Sequence, residues 1–153
     1  MIKLTIELVP KTSWFSNVRS EVTKEEWDFL RKEAYKLADY KCEICGGKGP
    51  KWPVECHEVW SYDGEVLIQK LERLIALCPS CHEVKHIGLA QLKGNFKRAI
   101  HHLMKINSWD YYKAVEYFDE AMMAWQGRSL FKWDLDIKWL ITKLEKGYCN
   151  ESI

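Results

Sequence analysis

A chain of 153 residues, 47% apolar and 29% charged, has material for one core and one compact unit, and no low-complexity run argues for disorder. No apolar stretch approaches membrane-spanning length, and the N-terminus has neither a signal-peptide apolar region nor a small-residue cleavage site, so the expectation is a cytosolic protein with no membrane partner. The formal charge of +1 supplies no bulk attraction to nucleic acid, so such a partner would have to be met by a local patch.

Residues 2–9 alternate Ile2, Leu4, Ile6 and Leu8 with Lys3, Thr5 and Glu7, the period of a half-buried strand that Pro10 ends. A helix is predicted from Thr23 to about Tyr40: Thr23 and Glu26 make a capping box, Val22 and Trp27 a hydrophobic staple, and Leu30, Ala34 and Leu37 continue the apolar face. Cys42 and Cys45 follow, then a Gly-rich turn over 46–50. Residues 54–60 read as a strand carrying His57, with a loop at 61–64 and a return over 65–77 that ends in the apolar run Leu74 to Leu77. Pro79 suits a helix start, so 79–87 is predicted as a short helix stopped at Gly88. Helices are also predicted at 95–106 and, capped by Ser108, at 108–125. Residues 132–139 alternate like a strand that would pair with 2–9, although a helix over 134–144 competes for them. The eight tryptophans read as core, and the aromatic-rich C-terminal region as packing or a surface for a protein partner.

Two Cys-x-x-Cys pairs, Cys42/Cys45 and Cys78/Cys81, bracket 32 residues. Each such turn presents two thiolates to one side of a tetrahedral ion, and two turns close the site, so these four residues are expected to hold a structural zinc. Four free buried cysteines would not account for both spacings, whereas Cys56 and Cys149 fit neither pair and read as ordinary buried or terminal cysteines. Binding would change the charge as well: four thiolates subtract four and the zinc returns two, which takes +1 to about −1.

Two stretches then carry a resemblance: Val-Glu-Cys-His-Glu-Val at 54–59, and Leu-Ile-Ala-Leu-Cys-Pro-Ser-Cys-His-Glu-Val-Lys-His at 74–86. Over about 42–88 the chain resembles the HNH endonuclease family, in which the segment Leu-Cys-x-x-Cys-His-x-x-x-His joins a zinc knuckle to a metal-binding helix. The resemblance implies a single α+β domain: a zinc-stabilised ββα-metal core, an N-terminal strand and helix over 1–41, and a helical C-terminal elaboration over 89–153. It implies a metal-dependent hydrolase of phosphodiester bonds, leaving a 5′-phosphate, from a bacterial or phage-encoded cytoplasmic protein whose partner is double-stranded DNA. Position by position, His57 and His82 take ligand places, His86 the place of a second helix histidine, and Glu58 the general-base place; the ion would be Mg²⁺, Mn²⁺ or Ni²⁺.

The chain departs from the family pattern twice. Glu58 stands where a base histidine is expected, and Arg73, nine residues before His82, stands at the usual Asn position. An unperturbed Glu with a pKa of about 4.3 is a weaker base than imidazole near neutrality, so Glu58 is a base or a further ligand. In a second register His57 is the base and Cys56 the ligand, a poor donor for hard Mg²⁺. Arg73 is a candidate phosphate contact or a solvated loop residue. Between 85 and 105 the chain carries Lys85, Lys93, Lys97, Arg98 and Lys105 with three histidines and no acid. Lys85, Lys93, Lys97 and Arg98 are expected to meet phosphates near the cleaved bond, with His101 and His102 in the same patch, although a solvated helix face would look similar. Two rivals stay open: a nucleic-acid-binding module that kept the scaffold and lost cleavage, and an RNA nuclease.

Overall fold

The segment between the two cysteine pairs folds as an antiparallel hairpin, and the rest of the chain is arranged around it. In the computed structural model, which describes residues 1–147, β1 (Glu55–Asp63) pairs with β2 (Ile68–Leu77), setting His57 opposite Ile75 and Glu58 opposite Leu74. Cys149 lies outside the described residues. The loop expected at 61–64 is strand as far as Asp63, because Ser61 and Tyr62 pair with Lys70 and Gln69 and the Tyr62 ring packs edge-on against Trp133. The turn falls after Asp63, where Leu67 takes a φ of 55°.

β3 (Asp134–Asp136) adds in parallel to β2, giving the order β1-β2-β3 and leaving β1 at an edge. The alternation at 132–139 thus yields only three residues of strand, paired with β2 and not with residues 2–9. The competing helix takes the remainder as the helix Lys138–Gly147. Burial decides this division: Leu140 and Leu144, four apart, reach the cluster around Leu71 and Leu74 only from a helix.

Residues 2–9 form no strand. Leu4 and Ile6 are buried as the alternation requires, yet their amides bond to helix side chains instead of to a neighbouring strand. Asn107 Oδ1 accepts from Lys3 N at 2.9 Å and Leu4 N at 3.0 Å, and the Tyr117 hydroxyl accepts from Ile6 N at 3.2 Å. Period two reports alternate burial, which a segment lying over helices satisfies as well as a sheet does.

The helices are, in chain order, α1 (Val18–Glu21), α2 (Lys24–Leu37), α3 (Pro79–Lys85), α4 (Ile87–Leu92), α5 (Phe96–Asn107), α6 (Tyr111–Arg128) and α7 (Lys138–Gly147). The predicted capping box is present at α2, with both Thr23–Glu26 bonds formed. α3 ends at Lys85, with His86 as its cap, and not at Gly88, which lies inside α4. Ser108 does not cap α6; it takes a φ of 55° at the end of α5, and Asp110 accepts from Lys113 N at 2.8 Å instead.

Two apolar clusters hold the α+β fold together. One joins Val18, Leu30, Ala34 and Leu140 to Leu71 and Leu74 of β2, and the other joins Leu4 and Ile6 to Leu77, Val84, Ile87, Ile100 and Leu103. Each fully buried Leu or Ile contributes about 1.5–3 kcal/mol. Among the described residues no helix is long and apolar enough to cross a membrane.

Candidate metal centres and the cleft

α2 and the start of α3 bring the cysteine pairs together, so that the ligand atoms of Cys42, Cys45, Cys78 and Cys81 lie within 4.8 Å of one another. This four-cysteine cluster could hold a metal ion, and the turns around it are shaped to do so. Gly46 takes a φ of +73°, and a side chain on Gly49 would come within 2.7 Å of Pro79 Cδ, so the first knuckle can press on the second only through glycine. The Gly47 and Cys81 amides each approach a thiol sulfur at 3.4 Å.

Glu43 fastens the first knuckle to β2, taking Ala76 N at 2.8 Å and the Arg73 guanidinium at 2.5 Å. Arg73 thus stands on β2, not on a loop, and its half-exposed side chain braces the knuckle through Glu43. His102, expected only as a member of the basic patch, also reaches the cysteines: its Nε2 lies 3.2 Å from Cys81 Sγ. Cys56 takes no part in the cluster; burial pushes its thiol up to about 12, consistent with an inert packing residue.

The second group is the histidine triad. His57 on β1, His82 on α3 and His86 one turn later have ring centroids 5.3, 5.2 and 4.9 Å apart, and their ligand atoms fall within 4.8 Å of one another. These three residues could hold a second ion. His57 is 2% exposed, its Nε2 is 2.6 Å from Glu7 Oε2, and its buried Nδ1 has no hydrogen-bond partner. His82 Nδ1 is 3.1 Å from Glu55 Oε1. In each case a carboxylate takes one ring N–H and frees the other nitrogen for a metal, the arrangement that orients metal-bound histidines. Burial lowers the pKa of His82 and, helped by the neighbouring rings, brings His86 down to about 3, so both are neutral donors near pH 7. Burial works against the charge on Glu7, but His57 and Lys85 outweigh it and hold the carboxyl below its ordinary value.

Two expected site residues stand elsewhere. Lys85 is 4% exposed, donates to Thr5 Oγ1 at 2.7 Å and pairs with Glu7 at 3.3 Å, so it is part of the interior and unavailable to a phosphate. Glu58 is outside the triad's ligand group: one oxygen accepts from Val18 N at 2.9 Å and the other from Trp60 Nε1 at 3.1 Å. Burial raises its pKa. Lys93 and Lys97 are exposed, and Arg98 is exposed but paired with Glu83.

No family model, curated protein or solved structure matches this chain. The fold brings to the site residues that spacing did not reveal. A cleft of about 630 Å³ opens beside the triad, with Glu7, Glu58, Arg19 and Arg128 on its walls. Glu7 read as the solvent side of a strand, and Arg19 and Arg128 lay in no motif. Glu55 stood within a quoted stretch, but nothing in the sequence tied it to His82.

Proposed function

We propose that the protein is a metal-dependent DNA endonuclease of HNH type, with zinc in the four-cysteine cluster and a second divalent ion on His57, His82 and His86. The observation that carries this reading is the convergence of three histidines from one strand and the following helix, two of them backed by carboxylates and one with an orphaned, buried Nδ1. Zinc in the closed cysteine site would contribute folding energy, ~10 kcal/mol or more in zinc-dependent domains. Imidazole donors suit Ni²⁺ better than Mg²⁺ or Mn²⁺, which prefer oxygen.

A divalent ion at the triad would stabilise charge on the scissile phosphate and the departing 3′-oxygen. The chain's own groups do the rest: Glu7 and Glu55 hold the His57 and His82 rings in one tautomer each, and Arg19 and Arg128 attract the phosphate backbone. Glu58 is the cleft carboxylate available to accept a proton from the attacking water, and its raised pKa brings it closer to working pH.

A second reading, a nucleic-acid-binding module without cleavage, is favoured by the two bonds that tie Glu58 to Val18 and Trp60. Incubating the protein with supercoiled plasmid, single-stranded DNA and RNA in Mg²⁺, Mn²⁺ or Ni²⁺ separates the readings. Cleavage of DNA, lost in both His57→Ala and His82→Ala, is expected. Binding without cleavage under every metal would leave the module reading, and cleavage confined to RNA would make the enzyme a ribonuclease.

A further inference from the structure

The cleft beside the histidines continues into a second arm. This arm, about 580 Å³, shares His86, Glu58, Trp60 and Leu89 with the metal cleft and is walled further out by Trp14, Trp125 and Leu92. Its character is different. The Trp14 and Trp125 rings lie at 22° to each other with centroids 6.3 Å apart. The indole N–H groups of Trp14 and Trp125 both donate to Val9 O, and that of Trp60 to Glu58, so these side chains offer no free donors; Lys11 lies 5.2 Å over the Trp125 ring, which leaves Trp14 and Trp60 to supply ring surface. Trp14 is 54% exposed and Leu92 85% exposed, which leaves the apolar wall open to a ligand.

The metal cleft carries two guanidinium groups beside the carboxylates of Glu7 and Glu58. Arg19 lies 5.0 Å over the Trp27 ring and Arg128 4.7 Å over the Tyr62 ring, and among the described residues neither has a carboxylate partner in an ion pair. Of the cations expected to meet phosphates, Lys85 is engaged with Glu7 and Arg98 with Glu83, while Lys93 and Lys97 are exposed. Unpaired guanidinium groups along the histidine cleft and aromatic surface at its far end match the two halves of a nucleotide: a phosphate that takes charge and a base that takes a stacking face. A base inside a duplex has both faces covered, so the aromatic arm gains little from paired DNA.

We propose that the cleft takes an unpaired nucleotide, with its backbone phosphates at the triad, Arg19 and Arg128 and its base in the arm between Trp14, Trp60 and Leu92. This rests on the nuclease reading and specifies its substrate as single-stranded or splayed nucleic acid in place of intact duplex. The phosphate contacts that sequence assigned to Lys85 and Arg98 pass to Arg19 and Arg128.

The test is equilibrium binding of the zinc-loaded chain, with no other divalent ion added, to three labelled probes: a single-stranded oligonucleotide, its duplex, and a strand of the same length made of abasic sites. The single strand is expected to bind about ten-fold more tightly than either of the others, as one stacked base would give. Trp14→Ala and Leu92→Ser should each remove most of that preference while leaving the abasic strand unaffected; Leu92 is 85% exposed, so its variant folds even if Trp14→Ala does not. Arg19→Ala and Arg128→Ala should weaken all three probes alike and reduce the salt slope by about one each. Equal binding of abasic and base-bearing strands, or tighter binding of duplex, overturns the proposal. An apolar dye that occupies the arm and is not displaced by the single strand does so as well. The two readings fail separately: base-dependent binding without cleavage removes the nuclease and keeps the arm, whereas cleavage of plasmid with tighter duplex binding does the reverse.

Discussion

Glu7 Oε2 lies 2.6 Å from His57 Nε2, so a carboxylate on the N-terminal segment sets the ring of a strand histidine 50 residues later. With Nε2 committed, Nδ1 is the nitrogen left for a metal. Glu7→Gln keeps the shape but weakens the acceptor, and loss of the carboxylate behind a metal-bound histidine costs about 10- to 100-fold in metal affinity. Titration with Co²⁺, read from its visible absorption, should show that loss at the triad with the cysteine cluster filled beforehand. Unchanged affinity would remove Glu7 from the centre.

The cysteine cluster is expected to bind one zinc whose removal unfolds the hairpin. Cys81→Ser should lose zinc by elemental analysis and lose the thermal transition, because Cys81 is fully buried at the head of α3. Cys56→Ala removes a half-buried thiol outside the cluster and should keep both. A Cys81→Ser protein that melts like wild type would show that the cluster does not hold the fold.

Acid should destabilise the protein through His86. In the unfolded chain this ring has a pKa of about 6.5; burial and its neighbours lower it to about 3 in the fold. Above pH 6.5 neither state is protonated and the contribution is fully present. As pH falls from 6.5 toward 3 only the unfolded chain takes up the proton, so stability drops by up to about 1.4 kcal/mol per pH unit. Urea midpoints at pH 7.5 and 5.5, with zinc bound and no other metal, should diverge in wild type and lie closer together in His86→Phe. An equal drop in the variant would assign the acid sensitivity elsewhere.

Arg73→Ala tests the brace against a phosphate contact. The Arg73–Glu43 pair has an Arg side chain 53% exposed, so its loss should cost no more than about 1 kcal/mol by thermal melting. Cleavage should stay within about two-fold of wild type, since an exposed pair of this kind acts only on the knuckle. A much larger fall in cleavage with unchanged stability would return Arg73 to the substrate.

How far the sequence was legible depended on how local the cause was. The Thr23–Glu26 capping box and α5 lie where pattern placed them, because caps and helical faces are set within a few residues. The end of α3 was misplaced at Gly88, since glycine also tolerates the helix interior when Ile87 and Ala90 beside it are buried. The segment at 2–9 was misread for a different reason. Its alternation recorded which residues face the core, and Asn107 and Tyr117, more than 100 residues away, supply the hydrogen bonds that a neighbouring strand would have supplied.

By itself the sequence determined the two Cys-x-x-Cys turns and the His82/His86 pair, because ligands held one turn apart need only local backbone geometry. It also marked the hairpin, whose apolar run at 74–77 ends at Cys78. Tertiary structure alone decided what surrounds those ligands. Packing of the N-terminal segment over α3 brought Glu7 to His57 and buried Lys85, and the ends of α1 and α6 carried Arg19 and Arg128 to the cleft. Charge in a folded protein is worth what its neighbours and burial make it, and those neighbours come from distant parts of the chain.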